Sequence, residues 1–109
     1  LKNAPDDPRL PAGARPGSVA PDAPIPTGWL LDQLGGRPVL LAIGVETPQI
    51  DGTRMVIVDA TPEIRDRYLG NQTGAIYLIR PDQVIAGRWV DPDAAEVENV
   101  ISGFWGRQT

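Results

Sequence analysis

The apolar residues of this chain fall in short runs that are separated by prolines, glycines and charged residues. Two of the runs, residues 39–44 and 54–59, are largely continuous and too short for a long helix, a pattern typical of strands buried on both faces. The segment between them, residues 45–53, contains Pro48 and Gly52 and is predicted to be a loop. The middle of the chain is therefore predicted to contain two buried strands.

A further apolar stretch, residues 75–90, is split by Arg80-Pro81-Asp82-Gln83. Proline sets φ at the second position of a tight turn, and aspartate suits the third. The flanking residues are largely β-branched or aromatic and fit a pleated, half-buried surface. We therefore predict a β-hairpin, in which the neighbours Arg88 and Trp89 point to opposite faces of the sheet.

Two helices are predicted from their first residues. Thr61-Pro62-Glu63 supplies a hydroxyl cap, a proline for the first helical position and a carboxylate near the positive end of the helix dipole. This helix is predicted to reach about Leu69, to stop at Gly70-Asn71, and to bury Ile64, Tyr68 and Leu69. Asp91-Pro92-Asp93 repeats the start signal, and a closing helix follows with one apolar stripe at helical spacing, formed by Val97, Val100, Ile101 and Phe104.

Residues 1–26 hold seven of the twelve prolines of the chain. Such a segment cannot donate a full ladder of backbone hydrogen bonds, so we expect an extended linker or arm that is either solvated or laid over another surface. The domain proper is predicted to occupy residues 27–109. It begins with a short helical turn from Trp29 to Leu34, which Gly35-Gly36 would end.

The predicted order is strand, loop, strand, helix, strand, turn, strand, helix. A central mixed sheet of about four strands with flanking helices accounts for this α/β order, with the parallel pair joined by a right-handed crossover through residues 61–69. The order resembles a thioredoxin-like fold in which the helix between the first two strands has shrunk to a loop. Thioredoxins place their Cys-x-x-Cys after the first strand, where residues 45–53 contain no redox cysteine.

The composition of the chain excludes several classes of catalytic and metal-binding site. The chain has no cysteine and no histidine, which excludes thiol redox cycling, disulfides, zinc sites built on those residues and histidine-dependent triads. The net charge of -4 and the scattered arginines argue against nucleic-acid binding. No apolar run approaches the roughly 20 residues that cross a bilayer, so we expect a soluble, cytoplasmic protein without a membrane partner. The start at Leu1 suggests a piece of something longer.

Several clusters are better explained by local structure than by a site. The acidic residues after the hairpin do not have the spacing of a calcium loop, and helix capping accounts for Asp91 and Asp93. Gly35-Gly36 and Gly70-Asn71 match neither dinucleotide nor phosphate-loop motifs, and helix ends explain both. Separate packing roles are favoured over a stacking platform for the three tryptophans, which are Trp29, Trp89 and Trp105.

Arg88 and Trp89 leave two interpretations open. In the first, Trp89 lies in the core and Arg88 is solvated or salt-bridged at the sheet surface. In the second, this face docks another domain, because tryptophan and arginine are enriched at interface hot spots. The possible domain-interface residues are Arg80, Asp82, Arg88 and Trp89.

The chain also resembles a known family. The resemblance lies in residues 15–21, in Trp29-Leu30 with the strand 39–44, and in residues 77–89, which read YLIRPDQVIAGRW. These features resemble the C-terminal domain of FAD-dependent aromatic-ring hydroxylases, especially the 3-(3-hydroxyphenyl)propionate hydroxylase and phenol hydroxylase type, over about residues 15–105. The chain departs from the usual pattern at Val19, where arginine is frequent, and at Gln83, where glycine is frequent.

The resemblance implies a thioredoxin-like domain without the redox cysteine pair, attached to an N-terminal FAD and substrate module. In such flavoprotein monooxygenases, FAD and NAD(P)H serve the hydroxylation of an aromatic ring, and the flavin and aromatic-substrate sites belong mainly to the preceding module. No cofactor is expected in this chain itself. The terminal domain would serve packing, oligomer contact, including a possible homo-oligomer, or closure of the active site.

Two other hypotheses come from different classes. A free-standing thioredoxin-like module without redox activity could use its sheet edge or arm to bind a partner protein. An independent enzyme would need carboxylate or tyrosine chemistry from Asp59, Tyr68 or Tyr77, residues that look structural. A flavin-binding sequence ahead of this domain in the intact protein would favour the hydroxylase-domain hypothesis over these two alternatives.

Overall fold

A computed structural model of the protein describes residues 4–46 and 53–105. The six strands within these residues are β1 (Pro24–Ile25), β2 (Gly28–Trp29), β3 (Val39–Ile43), β4 (Arg54–Val58), β5 (Ala75–Ile79) and β6 (Ile85–Trp89). Helix α1 begins at Pro62–Ile64 and continues as a wider turn over Arg65–Leu69, and helix α2 is Ala94–Trp105. Two single helical turns, Ala12–Ala14 and Leu30–Gln33, precede the main sheet.

The main sheet has the strand order β4-β3-β5-β6. Strands β3 and β4 are parallel, whereas β5 is antiparallel to both β3 and β6. This four-stranded mixed sheet with two helices confirms the predicted thioredoxin-like α/β fold. The predicted role of residues 61–69 is wrong, because they connect β4 to β5, which are antiparallel and lie on either side of β3. The parallel pair is instead joined by the segment after Ile43.

Strand β3 is fully buried, as predicted, because it has a neighbouring strand on each side and a core on each face. The prediction that β4 is buried is wrong. β4 forms the outer edge of the sheet, and its side chains are half-buried or exposed, with Ile57 64% exposed. A continuous apolar run therefore forms an edge strand here. The loop predicted before it covers residues 45–53, of which residues 47–52 lie outside the described part of the chain.

Helix α1 confirms its predicted start and end. The Thr61 hydroxyl accepts a hydrogen bond from the N–H of Ile64 at 3.3 Å, and Pro62 occupies the first helical position. The helix ends where Gly70, at φ 60°, donates its N–H to the carbonyl of Arg65. Its buried residues are the predicted Ile64, Tyr68 and Leu69, which join the sheet in one core cluster.

Helix α2 covers the opposite face of the sheet. Its cap is Asp93, whose Oδ1 accepts the N–H of Glu96 at 2.8 Å, whereas Asp91 lies in a turn with φ 56°. The predicted start is therefore shifted to Asp93, because Asp91 reverses the chain before the helix can begin. Val97 and Ile101 are buried with Leu40, Leu78 and Trp89, while the side chain of Phe104 lies outside the described residues.

Residues 4–23, here called the N-terminal strap, lie against the sheet. Four of their apolar side chains are buried in the α1-side core: Leu10, Ala14, Ala20 and Ala23. The strap also hydrogen-bonds along the outer edge of β6: the N–H of Gly17 donates to the carbonyl of Ile85 at 2.8 Å, and the N–H of Ile85 donates to the carbonyl of Ser18 at 2.9 Å. The proline-rich segment is thus laid over a surface, and that surface is the edge of β6.

Candidate functional site

Arg88 lies in β6 on the same face of the sheet as its register partner Tyr77. Its side chain is only 3% exposed. Nε donates to Oδ1 of Asp6 at 2.5 Å, and Nη1 donates to the carbonyl of Pro11 at 2.5 Å. Both acceptors belong to the N-terminal strap, so the side chain of Arg88 connects β6 to this segment.

Trp89 points to the other face, where it is buried against α2. Within the described residues, its indole Nε1 has no hydrogen-bond acceptor. Trp89 therefore has the predicted packing role. The same expectation is wrong for Trp29, which is 55% exposed, and the side chain of Trp105 lies outside the described part of the structure.

Arg80 and Asp82 lie at the tip of the hairpin, where both are solvent-accessible. Arg80 Nη2 and Asp82 Oδ2 form an ion pair at 2.7 Å, and Asp82 Oδ1 accepts the N–H of Val84 at 3.3 Å. The turn is closed as predicted, with the N–H of Gln83 donating to the carbonyl of Arg80 at 2.9 Å. The four predicted interface residues thus form two groups, a buried pair near the end of β6 and an exposed pair in the turn.

Gln83 is a residue whose role sequence reasoning missed. Its backbone adopts φ 70°, a conformation that favours glycine. Its side-chain Nε2 donates to the carbonyls of Leu31 and Leu34, at 3.0 and 3.3 Å. These bonds tie the hairpin turn to the helical turn before β3. The signal in the sequence was a non-glycine residue at the last position of a tight turn.

A second candidate surface lies along β4. A groove of about 270 Å³ runs between this strand and the β1–β2 hairpin, with Ile25, Pro26, Val56 and Val58 as its apolar lining. Ile57 also lines the groove, with most of its side chain in solvent, and the polar residues Thr27, Gln33, Asp59 and Thr61 complete the lining. Edge strands usually carry charges, prolines or bulges that prevent pairing with another chain; β4 has one exposed charge at its first residue, Arg54, and residues 55–58 are all apolar. The surface is therefore suited to contact with another polypeptide.

The residues considered for catalysis are held by structural contacts. The hydroxyl of Tyr68 donates to the carbonyl of Pro21, and that of Tyr77 donates to the carbonyl of Tyr68 at 2.5 Å. The two rings meet edge to face, with centroids 5.0 Å apart. Burial raises the pKa of Tyr77 to about 12 and raises the pKa of Tyr68 as well. Both hydroxyls stay protonated at neutral pH and point at backbone carbonyls, whereas Asp59 is exposed.

The two helix starts do not fit the phosphates of a dinucleotide such as FAD. An anion site at a helix start needs free backbone N–H groups. At α1, Pro62 has no N–H and Thr61 already accepts from Ile64. At α2, the carboxylate of Asp93 occupies the cap and would repel a phosphate. Within residues 4–46 and 53–105, no three acidic side chains are grouped as a metal site, and no helix is long and apolar enough to span a membrane.

No family model and no curated protein sequence matches this chain. Several solved structures, however, are similar to this chain in fold. A complex of aklavinone-11 hydroxylase with FAD and aklavinone has a TM-score of 0.66 at 22% identity, over 87% of this chain and 22% of that chain. RebC-10x has a TM-score of 0.61 at 28% identity, over 94% of this chain and 20% of that one. The rebeccamycin biosynthetic enzyme RebC, solved with reduced flavin, has a TM-score of 0.58 at 27% identity, over 90% and 18%.

These matches indicate a class, thioredoxin-like domains without cysteine in larger flavin-binding proteins, to which this chain is similar in fold. Within this class, the chain matches the C-terminal domain of FAD-dependent hydroxylases, as its sequence resemblance predicted. It spans about a fifth of the length of the chains that it matches. The chain therefore corresponds to one domain of a larger polypeptide.

Proposed function

We propose that this chain is the non-catalytic C-terminal domain of an FAD-dependent aromatic-ring hydroxylase that uses NAD(P)H in the cytoplasm. Its role would be to pack against the preceding FAD and substrate module, to provide an oligomer contact, or to close the active site of that module. The observation that carries the proposal is the match to FAD-dependent hydroxylases over most of this chain and about a fifth of theirs. The side chains described here also support it, because the buried tyrosines serve hydrogen bonds and the exposed apolar groups suit contact.

The β4 edge is the surface that we assign to this contact. Ile57 lies there in a groove with both apolar and polar lining, and the outward backbone groups of β4 lie at the side of the sheet that no described strand covers. The exposed pair Arg80 and Asp82 in the hairpin turn supplies a second, polar contact. Arg88 and Trp89 are buried on β6, at the opposite side of the sheet from β4, so any interface that they support would lie on the β6 side.

The proposal is tested in the intact polypeptide that contains this chain. We expect a yellow protein with the absorbance of bound FAD and NAD(P)H-dependent hydroxylation of an aromatic compound. The 109-residue chain alone is expected to bind no flavin and to show no turnover. A colourless intact protein, or turnover by the 109-residue chain, would refute the proposal.

The contact surface is tested with two matched substitutions. Ile57→Asp changes a side chain that is 64% exposed on β4, and Val19→Asp changes one that is 62% exposed on the strap. We expect Ile57→Asp to loosen the domain from the flavin module, seen as faster proteolysis between them and a lower melting temperature of the intact protein. Val19→Asp should leave both unchanged. Equal effects of the two substitutions would count against β4 as the contact.

A second candidate function is a free-standing binding module, which the open β4 edge also favours. This edge could accept an extended segment of another protein as an additional strand. In that case the native gene product would be a colourless 11.7 kDa protein. A specific partner that is not a flavoprotein, and whose binding Ile57→Asp abolishes, would support this alternative.

A further inference from the structure

We propose that Arg88 is a positioning residue that fixes the N-terminal strap, residues 4–23, to the sheet. The polypeptide would then reach this domain along a fixed path beside β6 and not through a mobile linker. The part of this inference that concerns a preceding flavin module rests on the proposed function. The part that concerns the strap stands on the contacts within this chain.

The first observation is how Arg88 is neutralised. A buried guanidinium is costly unless it is paired and hydrogen-bonded. Arg88 is 3% exposed, and its side chain donates to the carboxylate of Asp6 and to the carbonyl of Pro11, which both belong to the strap. Release of the strap would leave this cation without its carboxylate. Burial of the Arg88 side chain and binding of the strap to the sheet are therefore coupled.

The second observation is that the strap is bound at several points around Arg88. The N–H of Arg88 itself donates to the carbonyl of Pro5 at 3.1 Å. The Pro5 ring packs over Gly87, where a Cβ atom would lie 3.3 Å from Cδ of the proline. Further along, the N–H of Ala20 donates to the carbonyl of Gln83 at 2.8 Å. The strap thus follows β6 from its last residues back to the hairpin turn.

The consequence concerns where a preceding module is attached. Pro5 lies against Gly87 in β6, and β6 is the strand farthest from β4 in the order β4-β3-β5-β6. A module that precedes residue 4 is therefore tethered on the β6 side, close to where Arg88 anchors the strap. The fixed tether would limit the orientations that this module adopts relative to the β4 edge. Arg88 then acts on the arrangement of the modules without touching a substrate.

The test uses trypsin on the 109-residue chain. The bond from Arg9 to Leu10 lies in the strap, where Leu10 is buried and the bond is protected while the strap is bound. The bond from Arg54 to Met55 lies in β4 and monitors unfolding of the sheet. Arg88→Met is expected to speed cleavage after Arg9 by at least about tenfold, as loss of a charged hydrogen bond predicts, and to leave cleavage after Arg54 slow.

The matched control is Arg37→Met, which removes an exposed arginine outside the strap and the hairpin and should leave both rates at the wild-type value. Arg88→Lys keeps the charge but not the planar fork that reaches two acceptors, so an intermediate rate after Arg9 is expected. Wild-type protection of Arg9 in Arg88→Met would overturn the proposal. If Arg88→Met opens both bonds together, Asp6→Ala decides: a selective rise after Arg9 supports the proposal, and an unchanged rate rejects it.

A separate measurement addresses the preceding module. In the intact polypeptide, Arg88→Met should increase the radius of gyration measured by X-ray scattering, while the flavin spectrum stays the same. An unchanged radius together with rapid cleavage after Arg9 would reject the inference about module position. An intact polypeptide without flavin would refute the proposed function and leave the trypsin result on the strap standing.

Discussion

Gln83 combines an unfavourable backbone conformation with two favourable side-chain hydrogen bonds. Its φ of 70° is one that glycine adopts more readily than residues with a Cβ atom. Its amide, however, reaches the carbonyls of Leu31 and Leu34, which glycine could not do. The glycine that is frequent in the resembling family and the glutamine found here therefore stabilise this turn in different ways.

This balance predicts the order of two substitutions. Gln83→Ala keeps the unfavourable φ and loses both hydrogen bonds, so the free energy of unfolding should fall by about 1–2 kcal/mol. Gln83→Gly loses the same bonds but relieves the backbone, which should recover about 1 kcal/mol of that loss. Urea unfolding of the three proteins measures these values. A glycine variant less stable than the alanine variant would contradict the argument.

Tyr77 predicts how stability depends on alkaline pH. Burial raises the pKa of its hydroxyl from 10.0 to about 12 in the folded protein. Between these values the unfolded chain has lost the proton and the folded protein still holds it, so the free energy of unfolding must fall as the pH rises. The stabilisation is complete below pH 10 and is lost as the pH passes 12.

The measurement is urea unfolding at a series of pH values across this window. Tyr77→Phe should give a shallower fall, because one of the two buried hydroxyls no longer titrates. It should also be less stable by about 1 kcal/mol at neutral pH, since the hydrogen bond to the carbonyl of Tyr68 is lost. An identical pH slope in the two proteins would show that Tyr77 ionises as easily folded as unfolded.

Helix α1 is the element whose start and end depend most on residues that are close together in the sequence. Thr61, Pro62 and Gly70 each have the role in the structure that their chemistry predicts at a helix start or end. The hairpin was predictable for the same reason, since Pro81 and Asp82 set the turn between two β-forming runs. Features that depend on neighbours within a few residues were therefore readable from the sequence.

The cap of α1 gives a prediction at this scale. Thr61→Ala removes the oxygen that accepts the N–H of Ile64, and should lower the free energy of unfolding by about 1 kcal/mol. Thr61→Ser retains that oxygen and should restore most of the stability. Thermal unfolding followed by circular dichroism compares the three proteins. Equal losses of stability in Thr61→Ala and Thr61→Ser would mean that the methyl group of Thr61, and not its oxygen, provides the stabilisation.

Strand β4 shows what the sequence could not reveal about an element. Its apolar run is as typical of a central strand as that of β3, and nothing within residues 54–58 indicates which neighbours it has. Strand order is decided by how α1 packs and by the pairing of β3 with β5, contacts between residues far apart in sequence. For the same reason, the sequence did not predict the groove that Ile57 lines, because a strand that is predicted to be buried is not expected to form a surface.

At the scale of the whole molecule, the strap was the least predictable part. A proline-rich segment has the same local signals whether it is solvated or bound, and here the bound strap also contains a helical turn at Ala12–Ala14 that the expected extended arm did not include. Its position depends on a buried arginine some 80 residues away in the chain, 82 for Asp6 and 77 for Pro11. The sequence identified Arg88 as a candidate but could not identify its partners.

Deletion of the strap tests its contribution to the molecule. Without residues 1–23, Arg88 loses both acceptors, and the core loses the buried side chains of Leu10, Ala14 and Ala20. We expect this variant to lose cooperative thermal unfolding, whereas Val19→Asp, at an exposed residue of the strap, should leave the melting temperature unchanged. A cooperative transition at the wild-type temperature in the longer deletion would show that the sheet and helices are stable alone.

Of the two outer strands of the main sheet, β6 is paired with the strap and β4 has no described strand beside it. Filament growth by strand addition needs two free sides per subunit, one to join the previous subunit and one to receive the next. A molecule with a single such side is monovalent. Copies that meet through β4 would therefore stop at a pair, and only release of the strap from an otherwise intact sheet would free the edge of β6 as a second side for growth.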